Sequence, residues 1–137
     1  MRFMVLVKAS KDSEAGVLPT REQLAEMGKF NEQLIKDGVM LAADGLQASS
    51  KGARLRFGGG RPTVTDGPFA ETKELLAGFW IVQGKSKEEI ISRFMSAPFD
   101  RGEELEIRQI FEIEDFGDNL TAETREQEER RRSGSTS

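Results

Sequence analysis

Apolar residues change their spacing several times along the chain, and each change marks an element. Phe3 to Val7 is apolar on both alternating faces, the pattern of a strand buried on two sides. A loop of small and polar residues, Ala9 to Pro19, follows. From Thr20 the period becomes helical. Thr20 can cap with Gln23 reaching back, and Leu24, Met27, Leu34 and Ile35 recur until Gly38 supplies a stop, which predicts a helix over Arg21 to Asp37. Val39 to Ala43 reads as a second strand, with Asp44-Gly45-Leu46 as a turn. Ala53 to Phe57 alternates Ala53, Leu55 and Phe57 with Arg54 and Arg56, and Gly58-Gly59-Gly60 turns the chain back into Pro62 to Thr65, a hairpin. After the segment Asp66 to Glu74, Leu75 to Val82 is again apolar on both faces. Ser86, with Glu89 three residues on, opens a second helix carrying Ile90, Ile91, Phe94 and Met95, which Pro98 ends. Leu105 to Ile113 alternates as the last strand.

Strand, helix, strand, hairpin, strand, helix, strand is the split βαβ order of an α+β, ferredoxin-like sandwich with an inserted β-hairpin. Two helices cover one face of such a sheet, yet its central strands are apolar on both. A bare apolar face exceeds what a soluble monomer tolerates, so the pattern predicts a homodimer in which a second copy covers that face. A ligand cavity between the sheets is the competing reading, and the two are compatible. Residues 1–116 form the expected domain. From Gly117 the composition turns to Asp, Glu, Arg, Gln, Ser and Thr, with no large apolar residue after Leu120, so residues 117–137 are expected to be a charged tail, mobile or loosely docked, in which Glu126 with Arg130 and Glu128 with Arg132, each four apart, can support a transient solvated helix before Ser133.

Composition narrows the function. The net charge of −4 and pI near 5.1 argue against nucleic acid, which needs clustered cations. The absence of cysteine gives no disulfide framework and no thiolate metal site, and fits a cytoplasmic protein. The opening segment is too short an apolar run for a signal peptide or a membrane span. With no histidine at all, proton transfer must rest on carboxylates, Lys, Arg, hydroxyls or backbone amides. No metal and no cofactor is expected.

The densest chemistry lies in Asp66-Gly67-Pro68-Phe69-Ala70-Glu71-Thr72-Lys73-Glu74. Gly67 and Pro68 make it a shaped loop. Asp66, Glu71 and Glu74 beside Lys73 could orient or protonate a small polar ligand, or the loop is a turn with Asp66 bonding backbone amides and the other charges on the rim. Asn31 falls in the middle of the apolar stripe of the first helix, where it either projects into a cleft or satisfies a loose backbone group. Arg54 and Arg56 share one face of the hairpin and either clamp an anion or face water. Trp80 floors a pocket or packs in the core or an interface. The three glycines Gly58 to Gly60 are a turn, because no phosphate-loop residues follow them.

The run DGPFAETKE followed by LLAGFWIV resembles the signature of the DGPF branch of the YCII-related family. The opening RFMVLVKAS, the segment MGKFNEQLIKDG, the turn AADGLQ, the stretch RFGGGRPTVTDGPF and the ending EIRQIFEIEDF resemble that branch in the same order, so the likeness spans Arg2 to Phe116. It implies a dimeric α+β barrel with a cleft between sheet and loops, and genes often near those for extracytoplasmic sigma factors. In that branch a histidine often follows the Asp-Gly-Leu turn, where this chain has Gln47. Glutamine cannot exchange a proton near neutrality, which removes a histidine mechanism and leaves Gln47 as a hydrogen-bonding residue. The expected site is therefore Asp66, Asp44 and Lys73 for chemistry, with Asn31, Gln47, Arg54, Arg56, Glu71 and Trp80 around an unknown small polar ligand. The expected activity is a lyase or isomerase step, and the alternative is a non-catalytic regulatory or interaction module.

Overall fold

The computed structural model describes residues 1–70, 74–99 and 102–134. Strands β1 (Arg2–Lys8), β2 (Met40–Gly45), β5 (Leu76–Gln83) and β6 (Leu105–Gln109) form one antiparallel sheet in the order β2-β5-β1-β6. Among the described residues, strands β3 (Ala53–Arg56) and β4 (Thr63–Asp66) pair only with each other. This is the split βαβ order of a ferredoxin-like α+β fold with an inserted hairpin.

Helix α2 (Arg21–Lys36) begins as its sequence dictates, with Thr20 and Gln23 exchanging backbone bonds in a capping box. It ends at Gly38, whose φ of 70° is open to glycine at little cost, and Val39 N–H closes back on the Leu34 carbonyl at 2.8 Å. Ser86 caps α3 (Lys87–Phe94) by accepting from Glu89 N–H. Both helices lie on one face of the sheet. There Phe3, Val5, Trp80 and Val82 meet Leu34, Ile90 and Phe94 in a single buried cluster, with Trp80 edge-on to Phe94 at 5.1 Å and to Phe99 at 6.1 Å.

Register places the remaining side chains on the other face. Val5 opposes Trp80 on the helix side, so Met4, Leu6, Phe79 and Ile81 alternate away from it, together with Ala42 and Asp44 of β2. Met4, Leu6, Ala42, Phe79 and Ile81 are half-buried. At the β6 side this face carries a charged border in which Glu106 is bridged to Lys8 at 3.1 Å and to Arg108 at 3.3 Å.

Several boundaries differ from the sequence reading. Asp44 and Gly45, read as a turn, continue β2 and pair with Phe79 and Gly78 of β5, because β5 runs far enough to offer them partners. The last strand stops at Gln109 rather than Ile113. Its partner β1 begins at Arg2, whose carbonyl takes the Ile110 N–H, and the chain then winds into a 3-10 stretch, Ile113–Asn119. The loop after β1 contains a short helix α1 (Lys11–Glu14), capped by reciprocal bonds between Ser10 and Ser13. The charged terminal segment forms α4 (Ala122–Gly134), from which Arg132 reaches the Glu112 carboxylate at 3.1 Å and the Phe111 carbonyl at 3.1 Å.

Candidate functional site

The chemistry-bearing loops meet at a 3-10 turn, Ser49–Lys51, between β2 and the hairpin. Ser49 is its organising residue. Its N–H and Oγ–H both donate to the Glu14 carboxylate of α1, the former at 2.9 Å, while Oγ accepts the Phe69 N–H at 3.0 Å. These bonds from Ser49 hold the Glu14 carboxyl below its ordinary range. One serine therefore joins the loop after β1, the turn after β2 and the loop after β4.

The Asp-Gly-Pro-Phe segment owes its path to the same turn. Gly67 N–H donates to the Gly52 carbonyl at 3.0 Å. A Cβ at Gly67 would stand 1.7 Å from the Ser49 carbonyl oxygen, a distance only glycine allows. The chain then passes through a cis Gly67-Pro68 bond and delivers Phe69, over whose ring the Arg54 guanidinium lies at 3.9 Å.

Under the turn runs a cleft of about 440 Å³ with Leu46, Phe69, Leu75 and Leu76 as apolar wall and Gln47, Lys51, Arg54 and Glu74 as polar groups. A second cleft of about 680 Å³ opens on the other side, between the Glu14–Pro19 segment and the end of β2, and shares Leu46, Gln47, Ala48 and Lys51 with the first. Gln47 thus stands on the wall between two openings.

The sequence-expected residues do not all come together. Gln47 and Arg54 share the first cleft. Asp44 lies in β2 opposite Phe79, on the sheet face away from the helices, and Asp66 closes β4 opposite Ala53; both are exposed and neither lines that cleft. Arg56 is exposed on the hairpin face it shares with Arg54. Asn31 and Trp80 sit on the helix side: the indole Nε1–H donates to Asn31 Oδ1 at 2.9 Å, so the amide in the apolar stripe satisfies a buried tryptophan. Glu71 and Lys73 lie outside the described residues. Glu74, the remaining acid of that loop, does line the cleft. Sequence reasoning passed over Glu14, Ser49 and Lys51. Glu14 and Ser49 are 35 positions apart, and no periodicity signals a contact across that separation.

Among the described residues no cluster of His, Cys, Asp and Glu could hold a metal ion, and no helix is long and apolar enough to cross a membrane. Among the described residues the carboxylates with a displaced pKa are all held low. Asp37 is held by Gln33 and Arg93, Glu106 by Lys8 and Arg108, Glu112 by Arg2, and Glu128 by Arg131.

An uncharacterized protein of Rhizobium meliloti (strain 1021) is 31% identical over 68 residues, which is 50% of this chain; the chain spans about half of that protein, 55% of its length. The solved structure of 5-chloro-2-hydroxyhydroquinone dehydrochlorinase (TftG) from Burkholderia phenoliruptrix AC1100, in complex with 2,5-dihydroxybenzoquinone, is 19% identical with a TM-score of 0.38, covering 82% of this chain and 96% of its own. The model of the YCII-related domain matches residues 1–114, from the first strand through the last. The chain accordingly belongs to the YCII-related domain family.

Proposed function

We propose that this chain is a small-molecule-binding homodimer whose ligand site is the cleft under the Ser49–Lys51 turn, and that it carries out acid/base chemistry of the lyase or isomerase type there. The carrying observation is that a carboxylate, two cations and an amide line one apolar-walled cleft: Glu74, Lys51, Arg54 and Gln47 over Phe69, Leu75 and Leu76. Such a mixture suits a small polar ligand with an anionic group. Glu74 takes the proton-transfer role that the sequence distributed over its loop, and the cations steady developing negative charge. The half-buried apolar face of Met4, Leu6, Ala42, Phe79 and Ile81 supports the dimer.

The test is a melting-temperature screen against small carboxylates and hydroxycarboxylates, run beside sedimentation velocity. At least one compound should raise the melting temperature of the wild type. Gln47→Ala and Glu74→Gln should lose that rise while sedimenting as dimers. A rise that survives both substitutions places the ligand elsewhere.

A non-catalytic module is the second reading, and specific observations favour it. The displaced carboxylates among the described residues are all held ionised by bonds within the fold, and Gly67 and Phe69 place their N–H groups on Gly52 and Ser49 as a structural loop would. Ligand binding without turnover of any compound that binds would select this reading.

A further inference from the structure

We infer that the β3–β4 hairpin is a dimerisation arm whose apolar face is covered by a second copy of this chain; the inference rests on the homodimer proposed above.

The register makes the hairpin amphipathic. Leu55 pairs with Val64 and Ala53 with Asp66, while Arg54 and Arg56 pair with Thr65 and Thr63, so one face carries Ala53, Leu55 and Val64 with Asp66 at its end and Phe57 following at the next same-side position, and the other carries two arginines and two threonines. All eight strand residues are exposed. The apolar side chains are exposed to the extent of 58% at Leu55, 73% at Phe57 and 64% at Val64. A two-stranded hairpin is marginal in water by itself, and an amphipathic one gains its stability from whatever covers the greasy side. Within its own chain the four-stranded sheet does not extend to it.

Area decides for a second copy. A stable interface buries about 800 Å² on each partner. The five half-buried side chains on the open sheet face offer on the order of 300 Å² together, given that a whole aromatic side chain buries about 150–250 Å². The three hairpin side chains, each more than half exposed, offer on the order of 300 Å² more by the same measure. The sheet face alone falls well short, and with the arm and a polar rim it suffices. A two-fold pair supplies both surfaces twice, which makes the hairpin a self-complementary arm.

The experiment is a dilution series by analytical ultracentrifugation on the wild type, on Leu55→Ser with Val64→Ser, and on Thr63→Ser with Thr65→Ser on the opposite face. All three should show the same far-UV circular dichroism. The apolar pair should weaken the dimer by about a hundredfold or more in dissociation constant, and the threonine pair by less than about threefold. A wild type that is monomeric overturns the dimer and the arm together. A wild-type dimer whose affinity the apolar pair leaves unchanged overturns the arm alone, as does equal weakening by both pairs.

Discussion

Replacing Gly67 with alanine tests whether the Asp-Gly-Pro-Phe loop is held by close approach to the Ser49 turn. The added Cβ would sit 1.7 Å from the Ser49 carbonyl oxygen, 2.6 Å from its carbonyl carbon and 3.2 Å from the Ser50 nitrogen. Carbon and oxygen settle no closer than about 3.3 Å, so loop and turn must part by roughly 1.5 Å. No rotamer change relieves this, because both sides are backbone. The displacement breaks Gly67 N–H to Gly52 and Phe69 N–H to Ser49, each 3.0 Å long, and each is worth about 1 kcal/mol net. It also takes Phe69 from under Arg54, an exposed cation–π contact worth about 0.5–1 kcal/mol. The expected loss is about 2–3 kcal/mol, which for a domain of this size lowers the melting temperature by roughly 10 °C. Gly28→Ala is the control. Nothing lies within 4 Å of its Cβ position and it sits inside α2, so the same substitution there should stabilise by about 0.5–1 kcal/mol. Calorimetry on both variants measures the two effects. If Gly67→Ala melts within about 2 °C of the wild type, the loop is not locked to the turn and the cleft has no fixed wall.

Asn31→Leu should destabilise by about 1–3 kcal/mol, because it strands the buried Trp80 indole N–H; urea unfolding followed by the fluorescence of this single tryptophan reads the change, and a neutral result would mean that the indole finds another acceptor. The Glu112 carboxyl is held low chiefly by the hydrogen-bonded Arg2 guanidinium, with the charge of Arg132 adding to it. Since its native pKa lies below the unfolded one, its contribution is fully present above about pH 4.3 and disappears as the pH falls through the depressed native value. Glu112→Gln should therefore fall furthest below the wild type near neutrality and converge with it in acid, and a gap that stays constant across a pH series of urea melts refutes the assignment.

The elements were legible in the sequence to the degree that they are local. Thr20, Gln23 and Gly38 bracket α2 because caps are made by residues three or four apart, and the doubly apolar runs at Phe3–Val7 and Leu75–Val82 mark the two central strands of the sheet. Asn31 was conspicuous for the same reason, as a polar residue in a helical stripe. Its partner could not be read, because Trp80 lies 49 positions away and meets it only once α2 is laid across β5. Strand ends were misjudged where the partner's length, and not the strand's own composition, set the boundary, at Asp44 and at Gln109.

By itself the sequence determined the alternation of strands and helices, the amphipathic hairpin, and the absence of any histidine to move protons. Only the tertiary structure decided which polar residues share a cleft. Asp44 and Asp66 look alike as turn acids, yet pairing turns one toward the open sheet face and ends a separate hairpin with the other, while Glu14 and Ser49, inconspicuous in the chain, become the junction of three loops. The reason is physical: caps and periodicity are set by neighbours a few residues apart, whereas a site is set by contacts between segments that the chain brings together only when its core closes.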